Sequence, residues 1–187
     1  MSNLKRPVKY SIVFTGAMDY WPNIDAVLWF VNEIFPKLRK KYPELYFYIV
    51  GRNPSSAVLD LASDKVVVTG TVSDVRPYLQ HASVVVAPLR VARGIQNKIL
   101  EAMAMARAVV ASSICVEAID ARSDQEILAA ETVDDFVSKI SLLLDTPNIA
   151  DEIGRAGRLK ILKSYSWMAH LMGIDQYLDI PKFQYAL

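Results

Sequence analysis

The sequence contains one cysteine, Cys115, among its 187 residues. A single cysteine cannot form an intrachain disulfide, and the chain has neither a CxxC pair nor a Cys/His cluster typical of structural metal sites. A disulfide framework is therefore excluded. No structural metal is expected, and a reducing cytoplasm is the expected location.

An excess of one charge and long hydrophobic runs are also lacking. The chain has 21 basic and 20 acidic residues and a formal charge of +1, which gives no broad basic surface for nucleic acid. No uncharged apolar stretch of about 18 residues occurs, and the first residues lack the apolar segment of a signal peptide. The 52% of apolar residues predict instead a soluble domain with a substantial core and no transmembrane segment.

Two common phosphate-binding motifs are absent. A dinucleotide-binding domain needs GxGxxG after its first strand, but Gly16 is followed by "AMDYWP", and GxxxxGK[ST] does not occur. A phosphoacceptor receiver domain would need several acidic residues at the end of that strand, where the chain has Asp19 alone. Dinucleotide-binding domains, nucleoside triphosphatases and receiver domains are therefore disfavoured.

Strand-length apolar runs alternate along the chain with longer stretches of helical period. This pattern is typical of an α/β, Rossmann-like three-layer sandwich with a parallel sheet of about six strands. We predict this domain over residues 1–165 and a C-terminal tail over 166–187. The predicted strands are 10–16, 45–51, 65–70, 83–89, 108–112 and 126–130. The predicted helices are 24–41, with Asn23 as N-cap, and 54–63, 74–81, 94–106, 132–144 and 148–164.

Three predicted strands end at a glycine: Gly16, Gly51 and Gly70. Glycine allows a sharp turn or a close approach of the backbone to a ligand. Ligands of open parallel sheets bind outside the carboxyl ends of the strands. The segments that follow the first four strands therefore form the candidate site: 16–21, 51–54, 70–73 and 88–98.

The segment "PLRVARGIQNKILEAMAM" carries Arg90, Arg93, Lys98 and Glu101 around a predicted helix start. At about 100° per residue, Lys98 and Glu101 share a polar face. The opposite face is an apolar stripe that predicts packing on the core. The stripe consists of Ile95, Ile99, Ala102, Met103 and Ala106.

Two interpretations of this polar face stay open on pattern alone. Free N–H groups and basic side chains at a helix N-terminus suit a phosphate or diphosphate, and Glu101 could accept hydrogen bonds from a ribose diol. Alternatively, Lys98 and Glu101 form an ion pair on a solvated helix face, with the arginines at the surface.

Several motifs in a fixed order resemble those of a known family. The segments are "FTGAMDYWPNIDAV", "YIVGRNP", "VTGTVSDVRPYLQHASVVVAPLR", "RGIQNKILEAMAMARAVVAS" and "YSW". Together they are similar to the C-terminal, nucleotide-sugar donor-binding domain of GT-B-fold retaining glycosyltransferases of glycosyltransferase group 1. The more specific resemblance is to the branch associated with exopolysaccharide and exosortase gene clusters. It covers about residues 10–170, and "LEAMA…VVAS" is its most specific part.

The resemblance implies roles for individual residues. Glu101 matches the glutamate that binds the ribose hydroxyls, and Gly94 and Ile95 match the loop that holds the donor diphosphate. The loops that face the nucleotide match five residues: Gly16, Gly51, Arg52, Thr71 and Val72. The implied reaction transfers a sugar from a UDP- or GDP-linked donor to an acceptor hydroxyl with retained anomeric configuration. No cofactor or metal is expected, because no acidic pair lies on a rim loop.

The chain departs from the family pattern at two places. Arg93 stands where the wider family has the first of two glutamates, and Ala17 follows Gly16, with no lysine nearby, where the wider family has an arginine and a lysine. We expect Arg90, Arg93 and Lys98 to neutralise the diphosphate instead. Arg93 and Lys98 are the predicted catalytic residues.

Family members combine two Rossmann-like halves, and the first half holds the acceptor site. This chain corresponds to one half, so the implied partner is a missing N-terminal acceptor-binding half. Any membrane association would be peripheral and would come through the full-length enzyme. The tail would cross to that half or fold back on its own domain. The alternative function is a non-catalytic nucleotide-binding or protein-interaction module.

Overall fold

A computed structural model of the chain describes residues 10–165, so the predicted tail lies outside the described residues. Six parallel strands form one sheet in the order β3-β2-β1-β4-β5-β6. The strands are β1 (Ser11–Thr15), β2 (Tyr46–Val50), β3 (Val66–Val68), β4 (Val84–Ala87), β5 (Val109–Ser112) and β6 (Leu128–Ala130). Each strand lies within a range predicted from the sequence, and the predicted fold class is confirmed.

Helices connect successive strands and cover both faces of the sheet. They are α1 (Trp21–Trp29), a π-helical segment (Phe30–Ile34), α2 (Phe35–Lys41), α3 (Ser56–Leu59), α4 (Arg76–His81), α5 (Asn97–Ala104), α6 (Ser113–Ala118), α7 (Val133–Asp145) and α8 (Pro147–Ser164). Because β1, β4 and β5 are buried along their whole length, their sequences are apolar runs with polar residues only at the strand ends, and they do not alternate.

Two predicted helix starts are wrong. Asn23 was predicted as the N-cap of the first helix, but Tyr20 is the N-cap and Asn23 is a buried residue inside α1. Pro22 explains the difference, because proline is favoured in the first turn of a helix, and this places Asn23 inside it. The helix predicted over 94–106 begins at Asn97, since Gly94 has a φ of +62° and cannot belong to a right-handed helix.

The later start of α5 also corrects its apolar stripe. Ile99, Ala102 and Met103 are buried in the core as predicted, whereas Ile95 precedes the helix and is 48% exposed. One helix, α6, was not predicted. It has six residues and follows β5 without a loop, which leaves too short a segment for helical periodicity to be visible.

The strand order changes direction at β1, which pairs with β2 on one side and β4 on the other. Connections leave such a switch point in opposite directions and open a crevice at the carboxyl ends of the strands. The backbone is tight there: Gly16 N donates to Val50 O at 3.0 Å. A Cβ atom on Gly51 would lie 1.6 Å from Gly16 O.

We therefore expect Gly51→Ala to lower the free energy of unfolding by at least about 3 kcal/mol, because backbone must move to admit the methyl group. Chemical denaturation measures the change. Gly70→Ala is the control: Gly70 has a φ of +67° and no atom within 4 Å of its added Cβ, so only left-handed strain of about 1–2 kcal/mol applies. Equal losses in the two variants would contradict the expected clash.

Candidate functional site

A cleft of about 690 Å³ lies at the carboxyl ends of β1 and β2 and at the start of α5. Its lining residues come from segments far apart in sequence. They are Thr15, Gly16, Ala17, Tyr20, Asn23, Val50, Gly51, Arg52, Thr71, Val72, Val75, Ile95, Gln96, Asn97, Lys98 and Glu101. The cleft is large enough for a ligand of nucleotide size.

Lys98 lies at the floor of this cleft. Its ammonium donates a hydrogen bond to Asn23 Oδ1 and lies 4.4 Å from the centre of the Phe14 ring. Asn23 in turn donates from Nδ2 to the carbonyl oxygen of Ala17 at 2.9 Å. The first turn of α5 is thereby linked to the loop between β1 and α1.

The electrostatic environment of Lys98 is set mainly by burial. Loss of water lowers the pKa of Lys98 to about 8, although Cys115 and Glu101 act in the opposite direction. Burial also raises the pKa of the Cys115 thiol to about 11. Cys115 is a fully buried residue of α6, so it is a protonated core residue at neutral pH and not a nucleophile.

Glu101 lies one turn after Lys98 on α5. Its side chain is exposed and lines the cleft. It forms no hydrogen bond or ion pair within the part of the chain that the structure describes. The alternative interpretation of a Lys98–Glu101 ion pair is therefore not realised, and a carboxylate is available to a ligand.

The loops after β2 and β3 form the opposite wall of the cleft with Gly51, Arg52, Thr71 and Val72. The Arg52 side chain is exposed, while its carbonyl oxygen accepts from Met18 N at 2.8 Å. The loops after β1 and β2 are also joined by their side chains. Asn53 Nδ2 donates to Asp19 Oδ2 at 3.0 Å and lowers the pKa of Asp19.

Arg90, Arg93 and Gly94, which were predicted to bind the diphosphate, do not line the cleft in the structure. Arg90 forms a two-pronged ion pair with Asp25 of α1, in which Nε lies 3.0 Å from Oδ2. Its guanidinium also lies 5.5 Å from the Trp29 ring. Arg90 therefore joins the loop after β4 to α1.

Arg93 and Gly94 are exposed in the same loop, and their carbonyl oxygens accept from Gln96 Nε2 at 3.3 and 3.2 Å. The Arg93 guanidinium forms no ion pair with any residue in the range 10–165. Contact of these two residues and Arg90 with a diphosphate stays a prediction.

Asn23 lines the cleft but was not predicted to belong to the site. It was predicted to be a helix cap, and only the adjacent Pro22 indicated that it lies inside α1. Gln96 and Asn97, which also line the cleft, were likewise not among the predicted site residues.

Residues 10–165 contain neither a metal-binding cluster nor a membrane-spanning helix. No group of three or more His, Cys, Asp or Glu side chains within residues 10–165 is arranged to bind a metal ion. None of the helices in this range is both long and apolar enough to cross a membrane.

The sequence matches the model of one protein family. Residues 9–146, well over half of the chain, match the family Glycosyl transferases group 1. The chain belongs to this family. No curated protein matches this glycosyltransferase domain in sequence.

Solved structures share its fold at low sequence identity. TarM from S. aureus has a TM-score of 0.75 and 20% identity over 95% of this chain and 36% of its own. HepE from Anabaena, solved with UDP and glucose, has a TM-score of 0.74 and 11% identity over 93% of this chain and 49% of its own. The glycosyltransferase domain thus spans about a third to a half of these proteins.

A third structure is itself a single domain. The C-terminal domain of LpcC, a group 1 family protein from Francisella tularensis, has a TM-score of 0.72 and 20% identity. The match covers 87% of this chain and 89% of that one. The chain therefore has the Rossmann-like fold of one GT-B glycosyltransferase domain.

We expect Lys98→Met to stabilise this domain by about 1–3 kcal/mol at pH 7, because it removes a poorly solvated ammonium. The folded pKa of about 8 is below the ordinary 10.5, so the unfolded chain binds this proton more tightly. The gain over wild type is full below pH 8 and shrinks as pH rises towards 10.5. Chemical denaturation at pH 7 and 10 tests this, with the exposed Lys40→Met as control. A gain independent of pH would contradict it.

We expect the Arg90–Asp25 pair to stabilise the loop after β4. In a double-mutant cycle with Arg90→Ala and Asp25→Ala, the coupling in unfolding free energy should be about 0.5–1 kcal/mol, because Arg90 is half exposed and screened by solvent. It should fall at high salt. Additive effects would show that the two side chains are not coupled in solution.

Proposed function

We propose that this chain is the nucleotide-sugar donor-binding domain of a retaining GT-B glycosyltransferase. The enzyme transfers a sugar from a UDP- or GDP-linked donor to an acceptor hydroxyl in polysaccharide or glycoconjugate biosynthesis. One observation carries the proposal: a half-buried ammonium, Lys98, and a carboxylate with no hydrogen-bond or ion-pair partner among residues 10–165, Glu101, lie one helical turn apart in the cleft. These are complementary to a diphosphate and an adjacent ribose.

The diphosphate is proposed to bind at the start of α5. No side chain in the described part of the chain caps this helix, so its first N–H groups are open to an anion, and the helix dipole favours negative charge there. Lys98 adds a full positive charge at the same end. An approaching diphosphate would raise the pKa of Lys98 and keep it protonated.

The ribose is proposed to bind beside Glu101. Two neighbouring hydroxyls can both donate to one carboxylate, and hydrogen bonds to a charged acceptor contribute about 1.5–3 kcal/mol each. The base would then lie against the wall formed by Arg52, Thr71 and Val72. Gly16 and Gly51 leave space for it because they have no side chains.

Catalysis is proposed to depend on the leaving group. The bond between the anomeric carbon and the diphosphate oxygen breaks, and the diphosphate takes the electron pair and gains negative charge. The acceptor oxygen forms the new bond to the anomeric carbon and passes its proton to the leaving diphosphate oxygen. Lys98 stabilises the leaving diphosphate electrostatically. Arg93, exposed on the loop that leads into α5, is the proposed second cation. In this scheme these side chains take the neutralising role, and no metal or cofactor is included.

The related structures support a donor of this kind. TarM was solved in a complex that contains UDP, and HepE was solved with UDP and glucose. Because this chain spans only part of their length, the acceptor site is proposed to lie in an N-terminal half. We propose a cytoplasmic location for the enzyme. The isolated chain would bind the donor but would transfer sugar poorly. Any contact with membrane would be peripheral and would occur through the whole enzyme, in exopolysaccharide synthesis.

We expect the purified chain to bind one of UDP, GDP and ADP selectively in ligand-observed NMR. Glu101→Ala should weaken this binding at least about tenfold, because it removes charge-assisted hydrogen bonds. Affinity should also decline as pH rises past 8, where free Lys98 loses its proton. Glu33→Ala is the control, since Glu33 is exposed on the π-helical segment.

Failure of the folded chain to bind any of the three nucleotides would contradict the proposed donor site. The interaction-module function would then be favoured. If Glu101→Ala and Glu33→Ala weakened binding equally, the nucleotide would not be bound through Glu101 in the cleft.

A further inference from the structure

Asn23 is a polar residue in an unusually constrained place. It belongs to the first turn of α1, yet only 5% of its surface is exposed. Both ends of its amide are used: Nδ2 donates to Ala17 O at 2.9 Å, and Oδ1 accepts from the Lys98 ammonium. A buried amide with both ends bonded fixes the relative position of the groups it joins.

Gly16 lies against the same pair of side chains. A Cβ atom on Gly16 would lie 2.7 Å from Asn23 Nδ2 and 3.1 Å from Lys98 Nζ. The end of β1, the first turn of α1 and the first turn of α5 therefore meet at the asparagine and lysine side chains. The absence of a side chain at Gly16 leaves the space that they occupy.

The neutrality of Asn23 matters for an anion site. The titratable groups that act on Lys98 are Glu101 on its own helix and Cys115 on α6, while α1 contributes the uncharged amide and β1 the Phe14 ring. A carboxylate in place of the amide would neutralise the ammonium. The amide holds Lys98 in position and leaves its positive charge available.

We propose that Asn23 is a positioning residue that holds the Lys98 ammonium at the floor of the cleft, where it meets an anionic ligand. This inference rests on the proposed function for the identity of that ligand, a nucleoside diphosphate. It adds a residue of α1 to a site otherwise built from the ends of β1 and β2, loop segments and α5.

The first test does not depend on nucleotide binding. The titration of Lys98 is followed through its ¹³Cε resonance, assigned with Lys98→Arg, in wild type and Asn23→Asp. We expect a midpoint near 8 in wild type and a rise of at least about one pH unit in Asn23→Asp, because a carboxylate in contact favours the ammonium. Asn32→Asp is the matched control, since Asn32 is exposed on the π-helical segment that continues α1.

An unchanged Lys98 midpoint in folded Asn23→Asp, or an equal shift in Asn32→Asp, would overturn the inference. If Asn23→Asp does not fold, the inference is tested by the nucleotide-binding experiment described next, which uses Asn23→Ala.

The second test asks whether Asn23 acts through Lys98. Affinity for the best-bound nucleotide among UDP, GDP and ADP is measured for Asn23→Ala, Lys98→Ala and the double variant. We expect Asn23→Ala to weaken binding about three- to tenfold in the wild-type background and to have little effect once Lys98 is absent. Additive losses would show that Asn23 only supports the fold, and would overturn the inference.

The two proposals fail separately. A chain that binds no nucleotide but shows the expected Lys98 shift in Asn23→Asp retains the positioning role and loses the donor-binding function. A chain that binds nucleotide but shows no shift and additive losses retains that function and loses the role of Asn23.

Discussion

The site depends on an ammonium group held partly out of water at the end of β1. Lys98 loses solvation there and gains one amide acceptor and an aromatic ring in return. Neither partner carries a charge, so the attraction for an anion is not cancelled. A domain optimised for stability alone would place an apolar residue at this position. The arrangement is consistent with a structure in which an anionic ligand supplies the missing interaction.

The surrounding fold keeps this ammonium in place by close packing of backbone. Gly51 allows the end of β2 to approach Gly16, so the loops around the cleft start from fixed points. The helix that carries Lys98 is held from its other side by α8. A Cβ atom on Gly157 would lie 3.3 Å from Met103 Cε of α5, and Arg158 of α8 donates to the carbonyl oxygen of Ala104 at 2.7 Å. Close packing of α8 thus limits movement of α5 away from β1.

The fold was predictable from sequence because β1, β4 and β5 are buried on both faces and the longer helices have clear apolar stripes. The same logic placed Lys98 and Glu101 on one polar face, and both line the cleft. The pairing of Arg90 with Asp25 was not predictable, because the partners are 65 residues apart and nothing local distinguishes a paired arginine from a free one. Asn23 was assigned to the wrong role because a cap and a buried amide look alike in sequence until the helix start is known.

The two arginines of the loop after β4 show why the pairing of a side chain in the structure matters for its function. Arg90 and Arg93 are equivalent by composition, and either could be assigned to a diphosphate. In the structure Arg90 already has a carboxylate and an aromatic ring as partners, so moving it to a ligand would break an existing ion pair. Arg93 has no ion pair to give up within residues 10–165. The loop therefore carries one paired arginine, Arg90, and one exposed arginine, Arg93, next to the left-handed Gly94. Three cations, Arg90, Arg93 and Lys98, could compensate for the arginine that is absent after Gly16. Binding a diphosphate would cost Arg90 its ion pair with Asp25, whereas Arg93 and Lys98 have no ion pair to lose within residues 10–165.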